Sequence, residues 1–261
     1  VTEASMGVPV RASMEAGSLG QVEGGQDVPW SREALAADGV IVINRVKPHT
    51  DFAGPMGSGL TKMLVVGLGK HAGASAYHAA ALTLGYEAAL MRLAKVVFAR
   101  APVLGGVAIV ENAMHDTARV EVLAADAIPG REPELCAEAA TMMPALPFDE
   151  IDLLIVDQIG KNISGVGMDS NVTGRGELGG ALPGFDGPDI QRIVVLGLTD
   201  QTYGNEIISF EMMTSPDGIH WSLFEQSPLV PDRLEGDVLI AQRDPITGRI
   251  SLAGRSHAGW S

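Results

Sequence analysis

Cysteine is almost absent: Cys136 is the only thiol in 261 residues. An intramolecular disulfide and a thiolate metal cluster within one chain are therefore excluded. Cys136 lies in a helical-looking stretch, where a small buried apolar residue is the simpler reading and a reactive thiol the alternative. Positive charge is also scarce. Lys and Arg number 18 against 32 Asp and Glu, a formal net charge of −14 and an isoelectric point near 4.7. Such a surface repels nucleic acid and anionic membranes, so neither is expected as a partner. No apolar run reaches the roughly 20 residues of a membrane span. The opening VTEASMGVPV lacks the basic and apolar regions of a signal peptide, which makes a cytoplasmic location the default expectation. The first residue is not Met and the sequence starts in mid-pattern, so residues upstream of Val1 are expected to be missing.

What is present suits a well-buried α/β protein: 46% hydrophobic and 19% charged residues, with 32 glycines and 15 prolines for tight turns. The length allows one large or two modest domains. Residues 32–38 read as a short helix with Ser31 as N-cap. The β-branched run 39–44 reads as a buried parallel strand. Residues 76–99 read as one long helix, with Leu82, Ala89, Leu93 and Val97 at helical spacing and Pro102 preventing continuation. Residues 104–112 and 117–125 alternate as two strands joined at MHD, and a helix follows from about 132 to 142. Pro144 and Pro147 bracket the expected domain boundary. Beyond it, 151–160 and 192–200 read as strands flanking a glycine-rich loop, 160–180. The expected architecture is two α/β domains (1–147 and 148–205) with largely parallel sheets and a cleft between them, followed by C-terminal β-hairpins in 206–261. In that tail, SPDGIHW (215–221) is similar to a sialidase Asp-box turn. A single copy without repeated blades favours an isolated hairpin over a carbohydrate-processing module.

Chemistry concentrates in residues 44–78, NRVKPHTDFAGPMGSGLTKMLVVGLGKHAGASAYH, which hold three of the six histidines. Lys62 follows a glycine-rich loop and precedes an apolar run. Entering a low-dielectric setting favours its neutral amine and suits covalent chemistry. The alternative is phosphate binding, with Gly57 and Gly59 shaping an anion cradle; GSGLTK is not a Walker A motif, whose lysine is followed by Ser or Thr. His49, at a strand end, reads either as a proton acceptor with Asp51 orienting its ring or as a turn histidine bonded to backbone. His71 and His78 are seven residues apart, about two helical turns, so they do not readily chelate one ion. A metal here would take one histidine, and an organic ligand would bring the remaining donors.

These residues resemble the lactate racemase family, the nickel-pincer-dependent isomerases, in the branch patterned NRxKPHTDF…GPxxSGLxKM…xGLGKxxGAxxxH. GKNISGVGMDSNVTGR (160–175) is similar to that branch's second glycine-rich signature, and LTDQTYGN (198–205) resembles its LTxxTxGN. The resemblance covers roughly residues 1–205. It implies that Lys62 is covalently joined through a thioamide to the pyridinium mononucleotide of the nickel-pincer cofactor. It implies further that His78 completes nickel coordination and that His49 is one of two acid/base histidines. It assigns no role to His71. The implied reaction is racemisation or epimerisation of a small anionic 2-hydroxy acid. Hydride passes to the cofactor and returns to either face of the keto acid while histidines move the hydroxyl proton. A homo-oligomer is compatible with this reading.

Three departures accompany the resemblance. The second acid/base histidine belongs to a GSHGG-like motif expected upstream of Val1, so this form of the chain is compatible with an inactive enzyme. The family's substrate-binding Gln and Lys have no recognisable counterparts. Lys47, Lys161, Asp169 and Arg175 stand as the substrate-binding candidates, Arg175 because guanidinium grips a carboxylate in bidentate fashion; a loop-stabilising arginine is the alternative. The pattern also ends near Asn205, which leaves 206–261 of uncertain affiliation. A non-catalytic nucleotide- or phosphate-binding α/β protein is the competing reading.

Overall fold

A computed structural model describes residues 2–50, 52–160, 162–165, 167–175 and 184–200, together with the strands in 211–215, 222–223, 238–243 and 250–254. The chain divides into two units, Val1–His49 with Gly54–Met143, and Thr50–Ala53 with Pro144–Ser261. Helices and mixed parallel and antiparallel sheets make it an α/β protein.

In the first unit a short helix α1 (Glu3–Met6) precedes the antiparallel pair β1 (Ala16–Gln21) and β2 (Asp27–Ser31). Helix α2 (Arg32–Leu35) starts where expected, with the Ser31 hydroxyl accepting from the Ala34 N–H. Strand β3 (Val40–Arg45) leads through a loop to α3 (Leu60–Lys62), which runs directly into a π-helical turn, Met63–Gly67. Then come α4 (Lys70–Leu84) and α5 (Tyr86–Arg100). Where one long helix is expected from sequence, the chain breaks at Gly85, whose φ of 80° and ψ of 160° suit glycine and almost nothing else. The break separates two helical faces. Helix α5 buries Ala89, Leu90, Leu93, Ala94 and Val97 along one stripe, whereas Leu82 of α4 is 89% exposed.

Strand β4 (Val103–Glu111) lies parallel to β3 and antiparallel to β5 (Thr117–Ala124), giving the sheet order β3-β4-β5. Asn112 stabilises the β4–β5 turn by accepting from the Met114 and Asp116 N–H groups. Strand β3 is expected to be buried on both faces, but only one face is covered. Val42, Ala108, Val110 and Leu123 are buried, while Ile41 and Ile43 are each 62% exposed. The alternation of period two follows from helices packing on one side of this sheet. Helix α6 (Ile128–Thr141) lies on that covered side and buries Ile128, Glu132, Leu135, Cys136 and Ala139. Arg131 docks it on β5 by a two-point fork to Glu121, at 2.7 and 2.9 Å. Cys136 is 3% exposed, and burial pushes its thiol pKa up, so it behaves as a small core residue.

The second unit carries shorter strands than expected. Residues 151–160 divide into β6 (Glu150–Ile151) and β7 (Leu154–Val156), and α7 (Ser170–Thr173) follows. Strands β8 (Asp189–Ile190) and β9 (Ile193–Val195) pair in parallel with β6 and β7 respectively. Ile159, Ile190, Ile193 and Val195 form a small separate core. In 206–261, β10 (Glu211–Ser215) pairs antiparallel with β11 (Ser222–Leu223) and with β13 (Ile250–Gly254). Strand β12 (Val238–Arg243) joins β13 to β9, so these strands continue the sheet of β7. Residues 216–221, with the Asp-box-like turn, lie outside the described residues. Among the described residues no helix is long and apolar enough to cross a membrane.

The Gly85 break yields a direct expectation. Gly85→Ala places a Cβ in open space but on a backbone that L residues avoid. It should lower unfolding free energy by about 1–3 kcal/mol in urea titration; an unchanged midpoint would show that the break is not a glycine requirement.

Candidate active site around Lys62 and His49

Two backbone hydrogen bonds close the base of the loop between β3 and α3. Lys47 N–H donates to Ser58 O at 2.9 Å, and Ser58 N–H donates back to Lys47 O at 2.8 Å. The strands of this small clasp meet so closely that a Cβ on Gly57 would lie 2.1 Å from Lys47 O. His49 emerges just beyond the clasp, partly buried. One helical turn into α3, Lys62 comes back to meet it: Lys62 Nζ and His49 Nε2 are within hydrogen-bonding distance. An ammonium there donates to a neutral ring protonated on Nδ1, and the ring can take the proton and leave a nucleophilic amine.

The start of this helix is held by side chains from three other segments. Asn44 of β3 donates through Nδ2 to Gly59 O at 3.0 Å. Glu132 of α6, 2% exposed, accepts from Thr61 N–H at 2.9 Å and from the Thr61 hydroxyl at 2.5 Å. The Leu60 N–H also bonds to it. Helix starts leave N–H groups unpaired, and a carboxylate there is favoured by both hydrogen bonding and the helix dipole. Burial nevertheless dominates and raises the Glu132 pKa above the ordinary 4.5, against the lowering effect of the Thr61 and Leu60 bonds. Gly59 has no side chain because one would strike this carboxylate, 1.9 Å from its Oε1. Farther along, the fully buried Trp30 donates from Nε1 to Leu64 O at 2.7 Å, inside the π-helical turn.

The π turn closes with Leu68 N–H donating to Met63 O at 2.8 Å. Lys70, at φ 57°, then redirects the chain into α4. Gly69 and Gly73 let α4 start hard against the preceding turn, since Cβ atoms there would lie 2.2 and 3.1 Å from Val65 O. His71 and His78 both belong to α4, about 10 Å apart along its axis, and both are exposed. The His78 ring lies 5.3 Å from that of Tyr77 and edge-on to Tyr86 at 6.5 Å.

The sequence candidates are therefore partly gathered. Lys62 and His49 meet, and Lys47 lies in the clasp two residues before His49. Gly57 and Gly59 have packing reasons of their own. In the second unit, Asp169 caps α7 by accepting from Asn171 N–H at 3.0 Å. Arg175 donates to Ile190 O and lies 3.9 Å from an Asp189 carboxylate oxygen. In the same loop the buried Ser164 and Ser170 hydroxyls have no hydrogen-bond partner among the described residues. Lys161 and Asp51 lie outside the described residues. No group of three or more His, Cys, Asp or Glu placed to hold a metal ion occurs among the described residues. A single histidine such as His78 suits a metal whose other donors arrive with an organic ligand.

Glu132, Thr61 and Trp30 were not singled out by sequence reasoning. A signal for Glu132 existed: it falls on the α6 stripe of Ile128, Leu135, Cys136 and Ala139, an apolar face where a carboxylate needs a partner. No protein-family model matches the chain, and no curated protein matches it.

The raised Glu132 pKa has a testable sign. Its contribution to stability is fully present below the ordinary carboxylate value and is lost as pH rises through the folded value. Relative to Glu132→Gln, the wild-type melting temperature should fall as pH is raised through the window above the ordinary carboxylate value. A difference independent of pH would show that Glu132 does not titrate in that window.

Proposed function

We propose that the chain acts as a nickel-pincer-nucleotide-dependent racemase or epimerase of a small 2-hydroxy acid. Lys62 is the covalent attachment point, His78 the metal ligand and His49 an acid/base. The supporting observation is the meeting of Lys62 Nζ with His49 Nε2 from segments that the sequence separates by a long glycine-rich loop. The residues present fit the group in kind: an amine beside a proton acceptor, and the exposed imidazole of His78 on α4.

When bound, the cofactor supplies a hydride acceptor and donor for the substrate's 2-carbon. The chain's own part is proton handling and anchoring. His49 takes the proton that Lys62 must lose to become an attacking amine. With Lys62 in amide-like linkage, the same imidazole would serve to accept and return the proton of a substrate hydroxyl. Lys47 supplies local positive charge for a carboxylate in an otherwise acidic chain. Arg175 and Asp169 are weaker candidates because Arg175 is bonded to β8 and Asp169 caps α7.

The competing reading, a phosphate cradle at Gly57 to Lys62, loses support on physical grounds. The N–H groups of Leu60 and Thr61, where an anion would sit, already face the carboxylate of Glu132. A phosphate there would meet like charge.

Intact-mass and peptide mapping of chain co-produced with the cofactor-making enzymes should show an adduct on Lys62, abolished by Lys62→Ala. Bound nickel should fall by at least about tenfold in His78→Ala, as expected for loss of a metal ligand. An unmodified Lys62 without bound nickel under those conditions would overturn the proposal.

A further inference from the structure

We infer that Glu132 is the positioning residue of the Lys62 amine: its grip on Thr61 sets the rotation of α3 that turns Lys62 toward His49. The inference rests on the reading of Lys62 as a nucleophile and extends it to a residue 70 positions away in sequence.

The geometry singles out this carboxylate. Helix starts are commonly capped by the side chain of their own first residue. Here that residue is Gly59, which contributes none, and the cap comes from another helix. A buried carboxylate is costly, and Glu132 has no ion-pair partner among the described residues. Neutral donors hold it: the Leu60 and Thr61 N–H groups and the Thr61 hydroxyl. Two of these bonds belong to the residue immediately before Lys62.

That adjacency has a mechanical meaning. Successive side chains of a helix point about 100° apart, so fixing the azimuth of Thr61 fixes that of Lys62. Thr61 is fully buried with its hydroxyl on Glu132. The Asn44 and Trp30 bonds reach carbonyl oxygens and fix the helix along its axis. Among the described residues, Glu132 is the one that grips the Thr61 side chain next to Lys62. Helix α6 is itself docked on β5 by the Arg131–Glu121 fork, so the grip is referred to the sheet from which His49 departs.

Reductive methylation with formaldehyde and cyanoborohydride, resolved by residue in a mass spectrometer, tests the inference on the folded chain without cofactor. Exposed Lys95 on α5 serves as internal reference. The Lys62/Lys95 labelling ratio in wild type should exceed that in His49→Ala. In Glu132→Ala it should fall about tenfold. Thr61→Val, which removes the hydroxyl at nearly constant volume, should lower it in the same direction, and Thr61→Ser should restore it. General loosening of the fold would not follow that hydroxyl. If Glu132→Ala does not fold, the Thr61→Val and Thr61→Ser pair decides alone. A ratio indifferent to His49 overturns the reading of Lys62 itself. A ratio that depends on His49 but not on Glu132 or the Thr61 hydroxyl overturns only the positioning role.

Discussion

A carboxylate buried without a cation has to find hydrogen-bond donors, and Glu132 finds them at the start of the helix that carries Lys62. Much of the local architecture follows from satisfying that demand. Gly59 must lack a side chain to admit the carboxylate. Helix α6 must be held against the sheet, and the Arg131–Glu121 fork ties it to β5. Leaving such a helix cap unmade costs about 0.5–2 kcal/mol, and leaving the carboxylate without donors costs more. The two needs are met by the same three bonds, so α3 and α6 are fixed together.

The glycines of residues 44–78 take a different meaning from the one their density first suggests. Read from sequence, they describe a glycine-rich loop, with Gly57 and Gly59 shaping an anion cradle in the alternative to covalent chemistry at Lys62. In the fold, Gly57, Gly59, Gly69 and Gly73 each stand where a Cβ would come within about 3 Å of protein atoms already in place. They are sites of close approach, and they make the segment dense. The π-helical turn belongs to the same economy of space. It adds a residue to the helix just after Lys62, and its Leu64 carbonyl is taken by Trp30. Such turns recur at functional sites because they re-aim side chains that a regular helix would place elsewhere.

Local patterns carried much of this into the sequence. The β4–β5 hairpin, the Ser31 cap and the stripe of α5 follow from alternation, capping chemistry and helical period. The break between α4 and α5 was not legible, because Gly85 inside a helical pattern is tolerated until packing asks for two directions. Strand β3 reads as apolar on both faces, yet Ile41 and Ile43 remain exposed; composition does not say which face a neighbour will cover. Within the site, the motif spacing pointed to Lys62 and His49 but not to their contact, which depends on the Lys47–Ser58 clasp closing the loop. Glu132 was legible only as an oddity on an apolar stripe, and its partner, Thr61, is distant in sequence. In the second unit, short strands and locally engaged side chains at Asp169 and Arg175 gave sequence patterns little to resolve.

The proposed chemistry requires that Lys62 and His49 share one site. Spectra of the intact chain labelled with 15N-histidine test it directly, with Lys62→Met as the comparison. The shared site predicts that the substitution moves the ring-nitrogen resonances of His49 and leaves those of His71 and His115 in place. His49 resonances that do not change when the amine is removed would contradict it.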